Sequence, residues 1–290
     1  MRLRTLPLSL SGIIMGVGIA AAGPGIRFGS TFFLVLTTVC LQVLVNLSNE
    51  LGDTLSGTDT QERQGIHYSL QDGIMTVGEM RKLIMLFVLL SCIFGALMIY
   101  CCFGTLFALR PLAFLVLGAI AIYAAIHYTL GKNPYGYRGL GDISVFVFFG
   151  LATVLGGYVL SSGGQIPPAS ALLPTLAIGL FSVAVLNVNN IRDMRTDAAT
   201  RKTVALELGE RGARIYHTLL IALGWLAMLV YSCLGGLRLG HFLWVLSLPL
   251  YLKHLRGVWT LPEGRLDPML PLLVKSTFLL SILSVLGFLL

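Results

Sequence analysis

Apolar residues run along this chain in long blocks separated by short polar connections. A bilayer's hydrocarbon is ~30 Å thick and takes ~20 helical residues to cross, and nine blocks approach that length. They cover 7–24, 30–48, 81–101, 108–128, 142–160, 170–188, 214–235, 240–256 and 269–290. The third and fourth nearly fuse; Phe103-Gly104 and Arg110-Pro111 supply the break, since Gly and Pro weaken a helix and Arg prefers an interface. The eighth carries Pro249 inside it, which is tolerable where neighbouring helices satisfy the carbonyl that Pro frees. The pattern predicts an all-α membrane protein, a single domain over 1–290 with nine transmembrane helices.

Composition strengthens that expectation. The chain is 56% hydrophobic and 11% charged, against ~25% charged in an ordinary soluble domain. The N-terminal stretch MRLRTLPLSLSGIIMG has the charged-then-apolar form of a signal peptide, but the apolar run continues to Ala22. No polar mature domain follows, so a retained first span is expected. Cys40, Cys92, Cys101, Cys102 and Cys233 lie in or at the ends of apolar segments without metal-ligand spacing; they read as buried small hydrophobes.

A net charge of +7 would suit a nucleic-acid binder, yet the basic residues sit in short loops between apolar blocks, where they act as topology signals. Assigning connections alternately to two sides puts sixteen of the twenty Lys and Arg residues on one of them. Cytoplasmic loops are enriched in these residues. The N-terminus and the longest polar loops are therefore expected in the cytoplasm, in a multi-pass protein of the cell's inner (cytoplasmic) membrane. The expected partner is the lipid bilayer, with no nucleic acid.

Two of the blocks end in acidic motifs. The second runs into NLSNELGDTLSGTDTQERQG, with Asn49 and Asp53 four residues apart and Asp59 six further on; a continuing helix would put Asn49 and Asp53 on one face. The sixth ends in LNVNNIRDMRTDAATRK, spacing Asn190, Asp193 and Asp197 at i, i+3 and i+7, again one face of a continuous helix. Each presents amide and carboxylate oxygens, the hard ligands that magnesium prefers. Metal bridging of a diphosphate would neutralise charge developing on that leaving group. The plainer reading, solvated loop charges and helix caps, explains one motif well. It explains two less well, since extra asparagines (Asn46, Asn187, Asn189) accompany them and polar residues in spanning helices usually face an interior cavity.

Arg63, Lys132, Arg138, Arg192, Arg201 and Lys202 surround these motifs in sequence. They are candidates for gripping phosphate or carboxylate oxygens, or they simply orient the protein. A third loop, GKNPYGYRGLGD, gathers Lys132, Tyr135, Tyr137, Arg138 and Asp142 among four glycines, permitting a tight turn close to a ligand. Its aromatic rings suit a flat substrate or, equally, an interfacial belt.

The segments NELGDTLSGTD and NNIRDMRTD resemble the two Asp-rich motifs of UbiA-type intramembrane prenyltransferases. The gap from Asp53 to Asp59, RTLPLSLSG, QERQG, PYGYRGLGD and NNIRDMRTDAATRKTVALELG are similar, within that superfamily, to the 1,4-dihydroxy-2-naphthoate polyprenyltransferases of menaquinone synthesis. The resemblance spans residues 4 to about 209. It implies nine helices bundled around a central cavity, open sideways to lipid for a prenyl tail. It implies magnesium between Asp53, Asp193 and Asp197, with Asn49, Asn190 and Asp59 in support and Arg63 or Lys202 on the diphosphate. It further implies transfer of a polyprenyl group from a polyprenyl diphosphate to the naphthoate with decarboxylation, giving demethylmenaquinol. Tyr135 and Arg138 would receive the aromatic acid, Arg138 pairing with its carboxylate.

Departures from the family pattern bear on the substrate more than on the class. Glu50 stands where Asp is usual, and QGIHYSLQDG follows Arg63 where a more basic stretch is common. His67 is a candidate helper there, or a solvated loop residue. The alternatives are another aromatic acceptor, such as 4-hydroxybenzoate, or a secondary transporter built from repeats with polar broken helices. A transporter site would sit near the bilayer midplane, whereas these motifs fall at span ends on one side.

Overall fold

A computed structural model describes residues 3–57, 69–70, 72–236 and 238–290. Every regular element among them is a helix. In chain order these are α1 (Leu6–Ala22), α2 (Phe28–Leu55), α3 (Val77–Phe103), α4 (Leu109–His127), α5 (Gly141–Val145), α6 (Thr153–Ser161), α7 (Leu172–Arg192), α8 (Met194–Asp197), α9 (Val204–Leu234), α10 (Leu248–Thr260) and α11 (Met269–Leu289). A π-helical stretch, Phe146–Ala152, joins α5 to α6 into one rod.

Seven helical segments among the described residues have the length and hydropathy to cross a bilayer, so the chain is a multi-span membrane protein. They correspond to seven of the nine expected blocks. The other two are helical but differ: α1 has 17 residues, and the eighth block starts as a 3-10 helix, Leu239–Ser247, before turning into α10. Pro249 thus falls in the first turn of α10, where a missing N–H leaves nothing unpaired. The break between α3 and α4 comes at Gly104, left-handed at φ 75°, a conformation that costs glycine nothing. Arg110-Pro111 instead starts α4. The entry to α3 is fixed by a capping box in which Thr76 and Glu79 bond each other's backbone N–H.

The buried apolar residues of the bundle form three clusters. The largest is built on α7, with Phe181, and takes in Trp244, Tyr251 and Leu280 from the elements around it. A smaller one joins α2, α3 and α4 through Leu44, Leu47, Met80 and Ala125; another joins Ile13, Leu34, Ile99 and Leu160. Among them lies a cavity of about 860 Å³, walled by α1, α2, α3, α4, the Gly141–Ser161 rod and α7. Most of its wall is apolar, from residues such as Leu34, Phe114, Phe148 and Leu186. Its charged and amide groups Asn49, Asp53, Asn190, Arg201 and Lys202 collect near the ends of α2 and α7, with further polar side chains such as Ser9 and Gln42 elsewhere along the wall.

Candidate active site

The first motif stays on an unbroken helix. α2 continues through Leu55, so Asn49 and Asp53 share a face as expected, and both line the cavity. The helix can approach the chain after α4 because residue 52 is glycine: a Cβ there would lie 2.6 Å from the Thr129 carbonyl oxygen. Thr129 uses that proximity, its hydroxyl donating to the Ser48 carbonyl at 2.9 Å and standing 3.2 Å from Asn49 Oδ1. Asp53 is buried, and its Oδ1 accepts from the Tyr137 hydroxyl at 2.8 Å and from Arg201 Nη2 at 2.6 Å. Burial, and next the negative charge of Asp53, push the Tyr137 phenol above its ordinary value, so it remains a proton donor to the carboxylate.

The second motif departs from the expected single face. α7 stops at Arg192, Asp193 leaves the helical region at φ −97°, ψ 8°, and Asp197 closes the short α8. At this break Arg192 Nε donates to Asp193 Oδ1 and Nη2 to Oδ2, both at 2.7 Å. The helical hydrogen bonds from Asp193 N–H to the Asn189 carbonyl and from Asp197 N–H to the Asp193 carbonyl carry on through it. Asn190 remains on α7 and lines the cavity. Asp193 and Asp197 are buried behind that wall and do not contribute to its lining.

Arg201 brings the two motifs together. Besides holding Asp53, its Nε stands 3.5 Å from Asp197 Oδ1, and its guanidinium lies 4.4 Å from the centre of the Tyr137 ring. The glycine-rich loop is pinned to the same segment: Lys202 N–H donates to the Tyr137 carbonyl at 2.9 Å, and Arg138 and Lys202 pair as an isolated bridge. Gly136 allows this fold-back, since a Cβ there would sit 2.6 Å from the Tyr128 carbonyl oxygen. The loop is therefore a third wall to the site.

The remaining expected residues divide. Lys202 and Tyr135 line the cavity, but the Tyr135 hydroxyl donates to the Ala124 carbonyl at 3.0 Å and lies 3.1 Å from Ser144 Oγ. Its hydroxyl is thus engaged within the protein. Arg138 is exposed and does not line the cavity, which weakens its expected pairing with an acceptor carboxylate. Asp59, Arg63 and His67 lie outside the described residues.

Sequence reasoning placed Arg201 among six equivalent cations; its position four residues after Asp197, one helical turn, was the available signal. It missed Asp267 altogether. That residue, between α10 and α11, accepts from Arg192 Nη1 at 2.6 Å and from both Arg4 Nη atoms at 2.9 and 3.1 Å. Also unanticipated was a buried polar group earlier on α2. Gln42 Nε2 donates to Asn46 Oδ1 at 3.1 Å, Ser9 donates to Gln42 Oε1, and all three residues line the cavity.

Asn49, Asp53 and Asn190 offer the cavity hard oxygen donors of the kind that magnesium takes. Among the described residues no three His, Cys, Asp or Glu side chains form a self-sufficient metal cage. The donor set suits a cation that completes its shell with amide, water and ligand oxygens, as magnesium commonly does.

Comparison with known proteins fits this architecture. The UbiA prenyltransferase family model matches residues 9–282. The chain is 37% identical to the 1,4-dihydroxy-2-naphthoate octaprenyltransferase of Escherichia coli (strain K12), over 99% of this chain and 92% of that protein. It is 38% identical to the enzyme of the same name from Haemophilus influenzae, over 99% and 94%. A UbiA homolog from Aeropyrum pernix K1, solved in its apo form, superposes with a TM-score of 0.74 at 16% identity, covering 98% of each chain. A second, from Archaeoglobus fulgidus, bound to GPP and Mg2+, gives 0.65 at 16% identity, over 99% of this chain and 98% of that one.

Proposed function

Because this chain belongs to the UbiA prenyltransferase family, we propose that it transfers a polyprenyl group from a polyprenyl diphosphate to 1,4-dihydroxy-2-naphthoate, with loss of carbon dioxide, giving demethylmenaquinol. The observation that carries the acceptor is the near-full-length identity of 37% and 38% with two enzymes named for it. The membrane is the cytoplasmic one, with the N-terminus and both motifs on the cytoplasmic side. Support for that orientation comes from the sixteen Lys and Arg residues assigned to one set of loops.

In this reading Asn49, Asp53, Asn190, Asp193 and Asp197 would hold magnesium, with Asp59 in support. Magnesium, when bound, supplies Lewis-acid neutralisation of the departing diphosphate; its presence with GPP in the Archaeoglobus fulgidus homolog supports the choice. Arg201 and Lys202, at the cavity wall, pair with diphosphate oxygens, and Arg63 is a further partner for them. The apolar walls receive the prenyl chain and exclude water, so that the allylic cation left by C–O cleavage meets the aromatic ring before solvent. The ring carbon bearing the carboxylate attacks, a C–C bond forms, and expulsion of carbon dioxide returns the electron pair that restores aromaticity. Tyr135, in the cavity wall, supplies aromatic surface for the acceptor.

The test uses purified protein in lipid, magnesium, a radiolabelled prenyl diphosphate and a panel of aromatic acids. Magnesium-dependent product from the naphthoate, with matching carbon dioxide release, is expected. Consumption of 4-hydroxybenzoate alone would overturn the acceptor, and full activity in both Asp53→Ala and Asp193→Ala would overturn the catalytic site.

A further inference from the structure

Asp193 belongs to the second motif, yet both its oxygens accept from Arg192 at 2.7 Å. A carboxylate held that way has only the lone pairs that Arg192 leaves, and a tighter clasp makes it a poorer ligand for a cation. Arg192, however, is shared. Its Nη1 reaches Asp267 Oδ1 at 2.6 Å and its Nη2 also donates to Asn189 Oδ1 at 2.9 Å. Asp267 is in turn held by the guanidinium of Arg4, which lines the cavity. The result is a row of alternating charges, Arg4, Asp267, Arg192 and Asp193, leading from the cavity wall to the second motif and joining the N-terminal segment, the α10–α11 connection and the end of α7.

We infer that Asp267 is a positioning residue for the metal: it shares Arg192 with Asp193 and compensates the guanidinium charge, which loosens the clasp on Asp193 and keeps that carboxylate available to the dication. This rests on the reading of Asp193 as a metal ligand. Two physical effects act in the same direction. Without the Asp267 charge, Asp193 no longer competes with Asp267 for Arg192, and the existing clasp on Asp193 tightens. The row's formal charge also changes from zero to +1, and at these distances in a partly desolvated site an added positive charge repels a dication strongly. Groups that orient metal ligands typically change metal affinity by about 10-fold to 100-fold when removed.

A purely structural ion pair makes a different prediction. Removing Arg4 also breaks the row, so a structural role has Asp267→Asn and Arg4→Gln weakening the protein alike. The positioning role gives them opposite signs, because losing Arg4 leaves the row at −1 and leaves Asp267 more fully to Arg192.

The experiment titrates manganese, as a paramagnetic stand-in for magnesium, into the purified full-length protein in lipid and reads bound metal by electron paramagnetic resonance, without turnover. Steady-state assays then separate the KM for prenyl diphosphate, the KM for the aromatic acid and the magnesium requirement. Asp267→Asn is expected to lower manganese affinity about 10-fold and raise the magnesium requirement in parallel, leaving the acceptor KM unchanged. Asp267→Glu is expected to recover affinity, and Arg4→Gln to hold or raise it. Wild-type affinity in Asp267→Asn alongside lost affinity in Asp193→Asn would overturn the positioning role and leave the ligand reading intact. Equal loss in Asp267→Asn and Arg4→Gln would overturn it in favour of a structural brace. Wild-type affinity in Asp193→Asn would overturn the ligand reading and the inference with it.

Discussion

The two acidic motifs begin alike, each at the end of an apolar helix rich in asparagine, and end differently. In α2 the helix continues past its acid, and Asp53 faces the cavity between a phenol and a guanidinium. In α7 the helix stops just before its acid, and Asp193 turns into a row of charges behind the wall. A carboxylate that lines a cavity meets ligand directly, whereas one clasped by its neighbouring arginine acts through what that arginine does. Arg201 couples the two by holding Asp53 and standing beside Asp197. Similar sequence motifs can thus take unequal roles once different partners surround them.

If the asymmetry is right, the largest effect comes from the cavity-facing acid. Asp53→Asn should reduce kcat/KM by about 10³-fold, the scale of losing a group that stabilises transition-state charge. Asp193→Asn should lose activity mainly at limiting magnesium and recover in part at saturating metal; equal loss of kcat in both variants at saturating magnesium would break the comparison.

Removing the coupling should come next. Arg201 is only 13% exposed at its side chain, and truncating one partner of a buried ion pair costs about 3–5 kcal/mol. Arg201→Gln should therefore lower the unfolding midpoint in detergent and raise the KM for prenyl diphosphate. An unchanged midpoint would mean that the motifs are joined some other way.

A smaller change is expected at Tyr137. Tyr137→Phe removes one hydrogen bond to Asp53, worth about 1.5–3 kcal/mol to a charged acceptor, so kcat/KM should fall about 10-fold to 150-fold while the aromatic contact with Arg201 survives. A drop as large as that of Asp53→Asn would give the phenol a direct part in the chemistry.

The smallest effect concerns pH. Burial raises the Asp267 carboxyl, but Arg4 and Arg192 outweigh it and hold it below its ordinary value of 3.8. A depressed carboxyl contributes stability that is complete above its unfolded value and is lost as pH falls through its folded value. Wild type should thus lose its stability margin over Asp267→Asn only below about pH 4. A margin that instead vanished between pH 6 and 8 would point to a different titrating partner.

Much of this arrangement was legible along the chain. The apolar blocks had to be helices, because a backbone in hydrocarbon satisfies its own N–H and C=O groups only in closed hydrogen-bonding patterns, and seven of them are helices long enough to cross. The Asn49–Asp53 pairing was equally readable, since one unbroken helix fixes which residues share a face. The same rule did not carry to Asp193, where the backbone leaves helical geometry locally and the acid meets Arg192 behind the cavity wall, a partnership that periodicity does not encode.

What the sequence determined by itself was local and periodic: a membrane protein, the location of seven of the nine expected spans among the described residues, the acids at two helix ends and the family those acids resemble. What only the tertiary structure decided was partnership. Arg201 reaches Asp53 across 148 positions of chain, Arg192 reaches Asp267 across 75, and Arg4 reaches Asp267 across 263. Whether a cation stays in solvent or crosses to a carboxylate depends on the helix packing that brings the two together out of water. Composition can announce the charges, but close approach and burial assign them.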